Sequence, residues 1–228
     1  MSPRVPGSTL GEVVTARRGL GRKRLVFVVG ALLIAITLVF FALRLSSDVP
    51  ELLTGTVPDD AFDRRYVEHP ALAYLHIVPG IVFVLGAPVQ LALRIRGRHY
   101  RLHRRLGRFL VGAGLTSGVF ALAFGIPHSF GGAGQAWATV LFGIWFVACL
   151  VLGFRAIRRK EVRQHRRWMI RAFAVALGVG TIRVWIGIFQ ATGLLSLQAS
   201  FAPAFWIAFT IHVLVGEWWL RTTPHPPG

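Results

Sequence analysis

Charge is scarce in this chain. Only 15% of its 228 residues are charged, and just nine are acidic. A water-soluble domain carries about a quarter of its residues as charge, so with 54% hydrophobic residues the composition excludes an ordinary soluble core and points to lipid. Cysteine is nearly absent too. The single Cys149 lies inside an apolar run, which rules out an internal disulfide and predicts a buried, inert thiol. No Walker loop, HExxH or GxSxG pattern occurs, so the common phosphate-loop, zinc-protease and serine-hydrolase chemistries have no motif to rest on. No carboxylate pair falls within one apolar run, which argues against a proton pump of the acidic type.

Positive charge is what the chain has. Of 26 basic residues all but Lys23 and Lys160 are Arg, and the net charge is +17. In a soluble protein that excess would suggest nucleic acid. Here the basic residues sit almost wholly outside the apolar runs and no groove-reading motif accompanies them, so no nucleic-acid partner is expected. Two blocks concentrate them, Arg94 to Arg108 and Arg155 to Arg171, each between long apolar runs. The positive-inside rule reads both as loops at the cytoplasmic face.

The runs themselves cover residues 25–43, 71–93, 109–126, 136–154, 168–190 and 201–220. At about 1.5 Å of helical rise per residue, each approaches the roughly 30 Å hydrocarbon core. The expected fold is an all-α polytopic bundle of six transmembrane helices over 25–220. A basic cytoplasmic tail without structure precedes it at 1–24, and a short cytoplasmic tail follows at 221–228. The loop from Arg44 to Pro70 carries Asp48, Glu51, Asp59, Asp60, Asp63 and Glu68, and as the acidic loop it belongs outside. Both termini then lie inside. Pro79 and Pro88 fall within the second run and are expected to kink it. Shifted by 62 residues, Arg101, His103, Arg104 and Arg105 coincide with Arg163, His165, Arg166 and Arg167. A parallel repeat, spans two and three against four and five, would produce that match.

Ionisable groups inside a span cost roughly 2.5–3.5 kcal/mol on insertion scales, and those that persist face the bundle interior and find partners. Counting rises from the outer ends, His76 lies about 8 Å deep, Arg183 about 10 Å and His212 about 16 Å. His69 and His128 stand at the outer mouths of the second and third spans, so the five are expected to line one pocket in the outer half. Two histidines on facing helices are the arrangement that holds a b-type haem, and imidazole equally suits copper or zinc. His76 and His128 are the candidate ligand pair, with His212 as a third metal ligand. Arg183 is placed to neutralise a propionate or other anionic group. Glu217, near the inner interface, is expected to pair with Arg221 four residues on. His103, Arg104, Arg105, His165, Arg166 and Arg167 are read as interfacial side chains that meet anionic lipid headgroups or cap the adjoining helices.

Several segments together resemble a known family. They are Leu75-His76, the Gly86 to Gln90 stretch GAPVQ, Leu102 to Arg108 (LHRRLGR), and His165 to Arg171 (HRRWMIR) followed by Thr181-Ile182-Arg183. The combination is similar to the prokaryotic predicted membrane proteins grouped as domain of unknown function 2306, over roughly residues 70–195. The resemblance implies a multi-pass protein of a bacterial cell membrane and adds weight to His76, His103, His165 and Arg183. It implies no reaction.

Three functional classes fit these residues. A haem- or metal-binding redox or assembly protein comes first, ahead of a small-molecule or lipid transporter or sensor in which the proline breaks of span two move. The third is a structural accessory subunit whose intramembrane polar groups serve only packing.

Overall fold

The computed structural model describes residues 10–91 and 99–223. They form seven helices: α1 (Leu10–Thr54), α2 (Ala61–Glu68), α3 (Pro70–Leu91), α4 (Tyr100–Gly125), α5 (Gly132–Arg158), α6 (Val162–Thr192) and α7 (Leu197–Thr222). All but α2 are long and apolar enough to cross a membrane, α1 counting from Arg24. The order and number of spans are those of the apolar runs. No strand occurs among the described residues.

Local chemistry sets the ends of these helices. Asp60 caps α2, its carboxylate accepting from the Phe62 and Asp63 amides at 2.9 and 3.1 Å, and Ser196 caps α7 through the Ala199 amide. Each satisfies amides that the first turn leaves without partners. Gly55 and Gly193, at φ of 70° and 65°, close α1 and α6 in the left-handed conformation that glycine adopts without strain.

The helices overrun the apolar stretches. The tail expected through residue 24 enters α1 at Leu10, while residues 1–9 and the C-terminal tail from 224 lie outside the described residues. Extending a helix from a stable span costs little, since nucleation is already done, and no proline falls between residues 7 and 49 to stop it. The acidic loop is mostly helical as well: α1 continues through Pro50 to Thr54, and α2 takes up 61–68. The reading of the basic blocks as loops is overturned. His103, Arg104 and Arg105 ride the first turns of α4, and His165, Arg166 and Arg167 those of α6, with residues 159–161 alone linking α5 to α6. Long Arg side chains reach water from a helix that starts below the interface, so basic residues do not require a loop. Part of the first block, 92–98, is outside the described residues.

Packing follows the chain order. α3 pairs with α4, α4 with α5, α5 with α6 and α6 with α7, while α1 lies against α6. Lipid tails are as apolar as the side chains, so close approach at small residues holds such a bundle together. A Cβ on Gly114 of α4 would come within 2.9 Å of Phe83 and 2.8 Å of Leu150, and one on Gly180 of α6 within 2.5 Å of the Leu33 carbonyl oxygen of α1. Cys149 and Leu150 are fully buried at the centre, the thiol free as its apolar run predicted. α3 runs on through Pro79 and Pro88 as one helix. At the outer end of α5 and α7 the Trp206 indole donates to the Gly134 carbonyl at 2.9 Å, a polar tip and apolar body suited to an interface.

Candidate functional site

The half of the bundle that the charge pattern reads as outer is organised by three arginines. Arg65, on α2, extends its guanidinium over the rings of Phe62 and Tyr66, 4.6 and 4.9 Å from their centroids, and also faces Phe124 and Phe130. It donates to the carbonyls of His128 at 2.9 Å and Phe62 at 3.2 Å and to the Tyr66 hydroxyl at 3.2 Å. Burial lowers its pKa from the ordinary value. The positive charges of Arg183 and Arg44 act the same way, and Tyr66 opposes them.

Arg44, on α1, has the acids. It pairs with Asp48 one turn on and with Asp63 of α2 at 2.6 Å, and Asp48, fully buried, accepts from the Tyr74 hydroxyl of α3 at 2.7 Å. The network ties α1, α2 and α3 together and compensates the charges it buries, as a low-dielectric setting requires. Arg183 lies deeper, on α6, with its guanidinium 5.2 Å from the centroid of Phe40 of α1. It makes no hydrogen bond or ion pair among the described residues. Its charge acts on both Arg65 and His76. Of the three guanidiniums, Arg183 is therefore the one left to meet an anionic group.

His76 is held by α4. Its Nδ1 lies 3.0 Å from the Ser117 carbonyl oxygen and 3.2 Å from the Ser117 hydroxyl, which itself donates to the His76 carbonyl at 2.8 Å. A carbonyl only accepts, so Nδ1 carries the proton and Nε2 of the neutral ring keeps its lone pair. His128 does not join it. The His128 ring stacks on His69 instead, with centroids 3.9 Å apart and planes 29° from parallel, two helical turns above His76 on α3. Burial chiefly lowers the His128 pKa below its ordinary value; the charges of His69 and Arg65 push the same way, against Glu68. His212, on α7, is elsewhere again: Nε2 meets the Thr181 hydroxyl of α6 at 2.8 Å, and the ring also bonds the backbone of Ala174. Of the sequence candidates, the structure puts His76 within the electrostatic influence of Arg183 and stacks His69 on His128. It keeps His212 in its own interhelical contact. No group of three or more His, Cys, Asp or Glu suited to a metal ion forms among the described residues.

At the inner end the expected Glu217–Arg221 pair is replaced. Glu217 forks onto Arg171 of α6, both carboxylate oxygens engaged, one at 2.9 Å, the two-bond arrangement in which a planar guanidinium matches a carboxylate. His165 uses Nδ1 on the Gly153 carbonyl of α5 at 2.9 Å, closing the α5–α6 hairpin, and His103 occupies the same fourth position of α4 that His165 holds in α6. Arg104 and Arg105 are exposed, Arg104 beside Tyr100.

Sequence reasoning passed over Arg44, Asp48, Arg65, Tyr74 and Ser117. The i+4 spacing of Arg44 and Asp48 was a signal of pairing, and Phe62 stands one helical turn before Arg65. Ser117 gave no signal.

Six apolar helices, joined by hydrogen bonds and ion pairs and carrying a network of charged side chains toward one end, define a multi-pass α-helical membrane protein. The chain belongs to the predicted membrane protein family DUF2306, whose model matches residues 73–220. That match takes in α3 to α7 and leaves out α1 and α2. No curated protein and no solved structure matches the chain.

Proposed function

We propose that this is a protein of the bacterial cell membrane that binds a small ligand of the haem b or transition-metal class in its outer half, in a redox or assembly role. Its Arg-rich helix ends face the cytoplasm and meet anionic lipid there, as the positive-inside rule orients them. His76 supplies the donor atom and Arg183 the counter-charge for a carboxylate on the ligand. The observation that carries this reading is the Ser117 carbonyl on His76 Nδ1: metal-binding histidines are oriented by such a bond on the other ring nitrogen, and here it leaves Nε2 as the donor. A bound haem or metal ion would supply electron transfer or coordination chemistry. The chain's own residues orient the imidazole and balance the ligand's negative charge. His128, stacked on His69, acts as an outer neighbour of the site, so His76 serves as a single donor.

Absorption spectra of the oxidised and reduced detergent-purified protein, with metal analysis on the same sample, test this. A Soret band or stoichiometric metal that His76→Ala removes supports the reading. A colourless, metal-free protein that stays so after haem or metal is added sinks it.

A transporter or sensor of a small molecule or lipid is the second reading. Pro79 and Pro88 favour it, because each removes a backbone bond inside α3 and loosens the helix that carries His76. In that case Pro79→Ala and Pro88→Ala change the response to ligand while metal content stays nil.

A further inference from the structure

The inner end of the α5–α6 hairpin holds a second polar crevice, remote from the outer cluster. Arg155 and Arg159 stand one turn apart at the end of α5, and Gln164 and Trp168 one turn apart at the start of α6. Lys160, at φ 63°, turns one helix onto the other within three residues. The two ladders therefore face each other across a cavity of about 300 Å³, which Leu152 and Glu161 also line. Neither the Arg155 nor the Arg159 guanidinium forms an ion pair or hydrogen bond among the described residues. Two guanidiniums face one carboxylate.

We propose that this crevice binds the phosphoryl oxyanion of a phosphate ester, the headgroup of an anionic membrane lipid. The planar fork of Arg matches phosphate oxygens in parallel hydrogen bonds, and two forks one turn apart close on one group from the same helix face. The Gln164 amide is a donor for the ester or glycerol oxygens. Trp168 sits where an indole marks the membrane–water interface, and Leu152 lies on the path of an acyl chain. Burial of that chain separates a lipid from soluble phosphate, which shares the oxyanion alone. The inference rests on this end meeting an interface, not on the outer site or its ligand.

The test titrates the full-length protein in mild detergent with short-chain phosphatidylglycerol, short-chain phosphatidylcholine and inorganic phosphate, reading the thermal midpoint and tryptophan fluorescence. Saturable stabilisation by phosphatidylglycerol, without effect of phosphatidylcholine, is expected. Arg155→Gln with Arg159→Gln weakens it at least about tenfold, the loss of two charge-assisted contacts, while Arg64→Gln, at an exposed position of α2 near the opposite end of the bundle, leaves it unchanged. Arg159→Gln alone, at an exposed helix end, gives an intermediate loss and serves if the double variant does not fold. Competition by equimolar inorganic phosphate would overturn the lipid assignment. Wild-type affinity in the double variant, or equal binding of phosphatidylcholine, would overturn the site.

Discussion

His76 and Ser117 bond each other twice: the imidazole Nδ1 reaches the Ser117 carbonyl at 3.0 Å, and the Ser117 hydroxyl returns to the His76 carbonyl at 2.8 Å. The pair joins α3 to α4 and fixes the ring at once. Ser117→Ala keeps the carbonyl and loses the hydroxyl. It should lower stability by about 0.5–1.5 kcal/mol, the net worth of one internal hydrogen bond, as read by thermal unfolding in detergent, and it should retain most ligand binding that His76→Ala abolishes.

Arg171 and Glu217 clamp α6 to α7 near the inner end. Glu217→Gln leaves the guanidinium facing a neutral amide and is expected to cost about 1–3 kcal/mol, the desolvation penalty of a partner left unmatched. A double-mutant cycle with Arg171→Gln checks the attribution. If the two single losses simply add, the pair is not coupled and this account of the α6–α7 joint is wrong.

Acidification should loosen the outer rim. His128 is held below its ordinary pKa of 6.5, so the unfolded chain takes up a proton before the folded one does. The stability this ring contributes is complete above pH 6.5, declines as pH falls toward the lowered folded value, and is flat below it. Thermal midpoints of ligand-free protein from pH 8 to 5 should show that decline, and His128→Asn should make it shallower.

Gly180 is a further point of sensitivity. A methyl there meets the Leu33 carbonyl oxygen at 2.5 Å, and a backbone atom cannot rotate away as a side-chain tip can. Gly180→Ala should displace α1 from α6 at a cost of about 1–3 kcal/mol, the usual range for overpacking. Faster proteolysis within residues 55–60 would report it, whereas Gly187→Ala, with no atom within 4 Å of its added Cβ, should behave as wild type.

The spans were legible because hydrocarbon demands length and apolarity, both written in the local sequence. Their ends were not. Arg-rich turns such as Leu102 to Arg105 look like loops by charge, yet the helix continues through them because Arg reaches the interface on a flexible stem. The polar candidates were legible individually for the same energetic reason that makes them rare in lipid. Which of them meet was not. His128 turned to His69 and Glu217 to Arg171 through the rotation and depth of facing helices, and a linear count of rises carries depth but no azimuth. The 62-residue offset sets His103 and His165 at equal positions in their helices, but Gly125 packs on Thr139 where Gly187 meets nothing, so equal spacing in sequence did not carry equal surroundings.

The four rings around Arg65 give the bundle a mechanical bias. A guanidinium boxed by Phe62, Tyr66, Phe124 and Phe130 and tied to the carbonyl of His128 bolts α2, the end of α4 and the turn that follows it into one block. α3 and α4 then share a fulcrum at the outer surface, and any swing between them is greatest at the far, arginine-rich end, where Gln90 approaches Gly107.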